Sequence, residues 1–279
     1  MYNINMKNKP LVSRNIELFY TNASEENRLN SGMGKFEFER IKKLIESYIS
    51  EPKSTIIDVG GGTGKYAYWM AKKGHQVHLV DPVLKHIYLA EQRASTLKNK
   101  FSVTQGAAHQ LDFPDNSADV VVLHGPLYHL QNLEERVVAI KEAIRVVKNK
   151  GIILGFAINH TASTLVGLLQ GLVHKSSFFN MCKEELSTGV HNPPNDFPWL
   201  LAEGFYHSPE KLKEEFQLPS LQYLNTYAVE GMVWLDKNFF ANLTHQKKRE
   251  RLLQLMELTE NERSILSFSP HLMIAVQKI

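Results

Sequence analysis

The sequence predicts an α/β protein, a mostly parallel sheet with helices on both faces. Three observations predict it. Short apolar runs alternate with segments of helical period along the first 160 residues. A glycine-packed turn, Gly60-Gly61-Gly62-Thr63-Gly64, joins the first apolar run to the first helix after it. A carboxylate, Asp81, closes the second run, so that one strand-turn-helix-strand unit presents backbone and an acid at the same sheet edge.

Each element follows in order. The chain is polar at first and then helical over 35–49, where Phe36, Ile41, Leu44, Ile45 and Tyr48 recur at helical spacing. Pro52 ends that helix. Residues 1–50 are expected to form an N-terminal helical cap on a core spanning 51–279. The first strand is 55–59, and a helix over 65–73 is closed by Gly74. Strands at 76–80 and 101–105 flank a helix over 84–97. The run 118–123 is almost wholly apolar, as a strand buried on both faces must be. An amphipathic helix over 133–147 ends at Lys148-Asn149-Lys150-Gly151, and 152–158 is the fifth strand. Strands that alternate with helices in this way demand parallel pairing and right-handed crossovers.

The rhythm breaks over 159–208. This stretch carries an apolar helix, several aromatics and the turn-rich run from His191 through Asn192, Pro193, Pro194, Asn195, Asp196 and Phe197 to Pro198. It is too long for a simple connection and is expected to be a lid or substrate insertion. Ser208 caps a helix with Pro209 in its first turn. Residues 221–229 and 271–277 supply the last two strands, separated by a helical stretch over 246–257.

The glycine turn specifies a nucleotide-type ligand, because only glycines let backbone approach so closely. Asp81, at the tip of its strand, is placed to accept hydrogen bonds from ribose hydroxyls. A dinucleotide site requires a third glycine where this chain has Lys65. What remains, Asp58, then the glycine turn, then Asp81, resembles the first motifs of the class I S-adenosylmethionine-dependent methyltransferases. The resemblance implies a Rossmann-like sheet of seven strands, mostly parallel with the last strand antiparallel. It implies S-adenosyl-L-methionine as cofactor, with Gly60, Gly62 and Gly64 under the methionine part, Asp58 orienting the amino group and Asp81 with the adjoining Pro82 at the ribose. Gly106-Ala107-Ala108-His109 resembles the segment that wraps the adenine, with Ala107 where many relatives have an aspartate. Backbone at Ala107 and Ala108 can still bond the ring, and His109 can stack on it or donate to it.

After the fourth strand, His124-Gly125-Pro126-Leu127-Tyr128-His129-Leu130 resembles a bacterial subgroup of small-molecule-type methyltransferases. Members also have counterparts of Tyr20, Arg28 and Phe38-Glu39. The resemblance implies that Tyr20 and Arg28 close over the methionine end, Arg28 pairing with its carboxylate. His124 falls in the cofactor site, Tyr128 stands beside the sulfonium, and His129 is the first candidate for a base, with His160, His191 and His207 as alternatives.

Composition narrows the partners. The 279 residues carry 32 basic against 29 acidic side chains, a net +3 too mild to argue for nucleic acid. The run Lys247-Lys248-Arg249-Glu250-Arg251 reads as the solvated face of a helix. Asn192-Pro193-Pro194-Asn195 resembles the signature of amino-methylating enzymes but lies far from the end of the fourth strand, where that signature belongs, so a turn is expected. The single cysteine, Cys182, is expected to be structural. Twelve histidines show no metal-ligand spacing. With no secretion signal and no membrane span in the pattern, a soluble cytoplasmic enzyme with a small-molecule acceptor is expected. An RNA or protein methyltransferase and a non-catalytic cofactor-binding module are the alternatives. The aromatics Phe178, Phe179, Phe197, Trp199, Phe205 and Tyr206 fit either an apolar acceptor or the insertion's own core.

Overall fold

The computed structural model describes residues 11–22, 25–49 and 53–279. Pro52 and the start of the expected cap lie outside the described residues. Before the sheet come α1 (Arg14–Asn22), α2 (Glu25–Arg28) and α3 (Gly32–Glu46). The core then alternates β1 (Thr55–Val59), α4 (Lys65–Lys72), β2 (Gln76–Asp81), α5 (Leu84–Ser95), β3 (Ser102–Gln105), β4 (Ala118–Leu123), α6 (Pro126–His129), α7 (Leu133–Val146) and β5 (Val147–Ile158). The short strands β6 (Val190–His191) and β7 (Gly204–Phe205) pair in a ribbon of their own, and β8 (Leu221–Ala228) and β9 (His271–Lys278) complete the main sheet.

The seven main strands run in the order β3-β2-β1-β4-β5-β9-β8. Pairs within β1 to β5 are parallel, and β9 is antiparallel to both β5 and β8. This is the Rossmann-like methyltransferase sheet, with the last strand reversed. Strand order turns at β1 and β4, and in open α/β sheets ligands gather outside the carboxyl ends at such a switch.

Alternation along the strands divides the core in two. Ile57, Val59, Val121, Leu123 and Ile153 pack on α7 through Ala139, Ile140 and Ala143. Ile56, Val120, Val122 and Leu154 point the other way, onto Ile41 and Leu44 of α3, Met70 of α4 and Ala90 of α5. With both faces covered, these strands are apolar throughout.

Two boundaries depart furthest from the sequence pattern. The first long helix is Gly32–Glu46 instead of 35–49. β5 starts at Val147, earlier than expected: Val147 pairs with Ala118 and Ile152 with Val120, so Lys148 to Gly151 form an irregularity inside the strand. Lys150 sits there at φ 63, and Lys148 bonds Asp119 at 2.7 Å. A polar run looks like a helix stop, yet pairing with β4 keeps the backbone in the sheet across a bulge.

Residues 159–208 fold largely upon themselves. Helices Ala162–Gln170 and Ser176–Thr188 and the β6/β7 ribbon enclose a small core of Phe178, Met181, Cys182 and Phe197. Beside it, His191 and Glu185 are fully buried 2.5 Å apart, with Ser163 donating to Glu185 and Tyr206 stacked on the imidazole. Among the described residues no helix is long and apolar enough to cross a membrane.

Candidate active site

A cavity of about 730 Å³ opens where β1, β2 and β4 end. Its floor is the glycine turn. Gly62 takes φ 57, and a methyl group there would meet nothing within 4 Å, so the wall stays open because the residue is glycine. At Gly60, φ is 76 and a Cβ would come within 2.7 Å of the Gly125 nitrogen. The turns after β1 and β4 therefore touch backbone to backbone.

Asp81 forms the adjoining wall. Its Oδ2 accepts the Gly62 N–H at 2.9 Å, and its Oδ1 accepts the Val83 N–H at 2.9 Å and lies 3.0 Å from His86 Nδ1. A carboxylate has no proton to give, so Nδ1 of His86 is the donor. The ring is 3% exposed and lines the cavity, and its Nε2 has no hydrogen-bond partner. Ala107, Ala108 and His109 continue the wall beyond Asp81.

The roof is the start of the described chain. Ser13 Oγ and Asn15 Nδ2 donate to the two carboxylate oxygens of Glu203, and Lys85 Nζ donates to the Thr21 carbonyl at 2.8 Å. Tyr20 reaches down from α1 to share a 2.7 Å hydrogen bond with His129 Nε2. Its ring stands edge-on to His86 and His129, with centroids 4.9 and 5.3 Å away. Burial pushes His129 down to about 4 despite the nearby Asp81 charge, so the imidazole is neutral at physiological pH.

Residues 57–155 match a family model described as a methyltransferase domain. The match runs from inside β1 to inside β5 and carries the whole glycine turn. Over those residues the chain is similar to a methyltransferase domain, and the strand order, glycine turn and tip carboxylate support the class I S-adenosylmethionine-dependent type. A ubiquinone/menaquinone biosynthesis C-methyltransferase from Bradyrhizobium is 28% identical over 144 residues, 48% of this chain and 56% of the relative. A counterpart from Shewanella frigidimarina is 27% identical over 146 residues, 50% of this chain and 56% of the relative. The chain thus spans about half the length of the curated relatives it matches. Among solved structures, an S-adenosylmethionine-dependent methyltransferase from Methanosarcina mazei superposes with TM-score 0.59 at 18% identity, covering 85% of this chain and 97% of that one. A Pyrococcus horikoshii protein gives TM-score 0.61 at 14% identity, covering 94% and 99%. The [4+2]-cyclase SpnF also superposes, at TM-score 0.53 and 16% identity over 86% and 80%; the fold alone does not name a reaction.

The methyltransferase cofactor is S-adenosylmethionine, and the cavity fits a nucleoside ligand: the Gly62 face is open, Asp81 is oriented, and a buried His86 nitrogen is unmatched. Of the residues singled out in the sequence, Tyr20, Gly60, Gly62, Asp81, Pro82, Ala107, Ala108, His109, Tyr128 and His129 line this cavity. Four of the residues expected at the cofactor stand elsewhere. Gly64 starts α4 against Phe101 and Ala90, where a Cβ would be 3.1 to 3.2 Å from both. Arg28 makes a two-pronged pair with Glu37 at 2.6 and 3.1 Å. Asp58 is fully buried and bonded to His124 Nδ1 at 2.7 Å. The His124 ring is sandwiched between Tyr66 and Phe156, with centroids 4.4 and 4.7 Å away.

That second corner of the protein has its own unmatched atoms: Asp58 Oδ2, His124 Nε2 and the Tyr66 hydroxyl are all buried without a partner. Burial opposes ionisation of Glu37, but Arg28 and His271 outweigh it and hold the carboxyl below its ordinary range. Burial likewise pulls His271 down, yet Glu230 and Glu37 hold it up at about 9. Glu37, Glu230 and His271 bring ligand-type atoms within 4.8 Å of one another. Those atoms are engaged already, by Arg28, Ser269 and the His271–Glu230 bond of 2.6 Å.

His191 and His207 are fully buried, and of residues 159–208 Glu203 alone is a described wall residue of the cavity. Sequence reasoning missed Glu203 and His86. The available signal for His86 was its place in the first turn of the helix that follows Asp81.

Proposed function

We propose that this protein transfers the methyl group of S-adenosylmethionine to a small-molecule acceptor by in-line displacement. The observation that carries the reading is the pairing of an oriented Asp81 carboxylate with an open glycine face on one cavity at the switch point of the sheet. When bound, the cofactor supplies an electrophilic methyl carbon on a sulfonium, with a neutral thioether as leaving group.

The chain's own part is placement. Asp81 would hold the ribose, Gly60 and Gly62 would pass beneath the methionine part, and Ala107, Ala108 and His109 would border the adenine. Tyr20, from a helix fastened over the cavity, excludes water from the reacting end. Fixing nucleophile, carbon and sulfur in line can supply about 7–11 kcal/mol of the barrier. His129, held neutral by burial and already bonded to Tyr20, serves as a neutral hydrogen-bonding group beside Tyr128. Asp58 and Arg28 would meet the amino-acid end only if their present partners, His124 and Glu37, share them.

The cavity volume falls within the range of small-ligand sites. Its far wall mixes Leu130 and Val138 with Gln131, Glu134 and Glu203, which favours a small acceptor having both apolar and polar parts. Relatives named as ubiquinone/menaquinone biosynthesis C-methyltransferases lend the small-molecule reading support.

Isothermal calorimetry with S-adenosylhomocysteine tests the cofactor, and label transfer from methyl-labelled cofactor across quinol, phenol, amine and thiol panels tests the acceptor. Binding together with transfer to one panel is expected. Absence of binding by the folded protein would sink the proposal, and salt-sensitive transfer to RNA instead would overturn its acceptor class.

A further inference from the structure

We propose that His86 is a second ribose-recognition residue, which makes the site selective for a nucleoside with its hydroxyls intact. The inference rests on the reading of the cavity as a methyl-donor site and adds to it a residue that the glycine turn and Asp81 do not announce.

The argument is a count of donors and acceptors. A carboxylate offers about four lone-pair directions. On Asp81, Gly62 N–H, Val83 N–H and His86 Nδ1–H use three of them. One direction remains, enough for one ribose hydroxyl. A vicinal diol brings two O–H donors, so the second needs another acceptor. His86 supplies it: in the imidazole tautomer whose Nδ1–H points at Asp81, Nε2 carries a lone pair. That nitrogen is buried and unmatched, in a ring that is 3% exposed and lines the cavity.

An unmatched buried acceptor is unfavourable unless something meets it. The arrangement is also rigid. Asp81 holds one edge of the ring through the 3.0 Å bond, and the Tyr20 ring stands edge-on to it with centroids 4.9 Å apart. His86 therefore acts twice, as a positioning residue that fixes one Asp81 oxygen and as an acceptor in its own right.

Calorimetry on the whole protein separates these roles from mere packing. The probes are S-adenosylhomocysteine and its 2′-deoxy and 3′-deoxy analogues, and the variants are His86→Phe, which keeps a ring against Tyr20, and His86→Gln, which keeps an acceptor. Thermal melts accompany each variant to establish that it is folded. Loss of one hydrogen bond corresponds to about tenfold in affinity. Wild type is expected to bind the parent at least tenfold more tightly than either analogue. His86→Phe is expected to lose about tenfold for the parent while leaving one analogue unchanged, and His86→Gln to recover part of the difference. Equal losses for all three ligands, or no loss for any, would overturn the inference and leave the methyl-donor reading standing. Wild type that binds none of them defeats both.

Discussion

Asp58 and Asp81 sit at the ends of neighbouring strands and play opposite parts in the structure. Asp81 faces the cavity, gripped by two backbone N–H groups and His86. Asp58 is sealed behind the Gly61 backbone, where a Cβ would come within 2.7 Å of its Oδ2, and its other oxygen belongs to His124. The difference follows from strand geometry. Asp58 lies inside β1 on the same face as Ile56, toward α3 and α4, whereas Asp81 is the last residue of β2, where the chain turns out of the sheet. An acid one residue inside a strand becomes part of the fold; an acid at its tip becomes part of the site.

The largest expected effect breaks the buried partner. Asp58→Ala strands His124 without its acceptor, and losing one member of a buried pair costs about 3–5 kcal/mol. Urea unfolding should show that loss, with S-adenosylhomocysteine affinity falling less than for the Asp81 variant. Near-normal stability with abolished binding would invert the comparison. Next in size, Asp81→Ala should weaken S-adenosylhomocysteine by about 10- to 150-fold, the worth of a hydrogen bond to a charged group at about 1.5–3 kcal/mol. Calorimetry measures it, and an affinity within threefold of wild type would remove Asp81 from the ribose role.

The smallest effect sharpens the second corner through pH. His271 is held at about 9, above its unfolded value of about 6.5. A folded pKa raised above the unfolded one gives stability that is fully present below about 6.5 and is lost as pH rises through about 9. Melting temperatures between pH 6 and 9.5 should therefore fall more steeply for wild type than for His271→Gln. Equal slopes would show that the Glu230 and Glu37 charges do not hold this proton.

Much of the sheet was legible because burial on both faces leaves no alternative. The run 118–123 could only be an interior strand, 55–59 runs straight into Gly60, and 76–80 begins just after Gly74. Less legible was whatever depends on a distant partner. The polar residues after Val147 stay in the sheet because β4 pairs across them. Arg28 turned to Glu37, a contact that needs α2 and α3 folded against each other. The aromatics of 159–208 fitted two readings, and Phe178 and Phe197 proved to be core. His86 carried no motif at all. Its meaning comes from a bond five residues back along a turn, and a single polar residue in an amphipathic helix gives no periodic signal.

The clasp of Ser13 and Asn15 on Glu203 sets an order of events in the life of the chain. Translation delivers α1 well before its anchor, which is 188 to 190 residues away in sequence. The helix must wait on the emerging polypeptide until the sheet has its first five strands and the segment after β6 has been made. Synthesis runs at about 5–20 residues per second, so the opening segment spends on the order of ten seconds or more without its seat. The covering of the cavity is thus made long before its anchor and is one of the last segments to find its place.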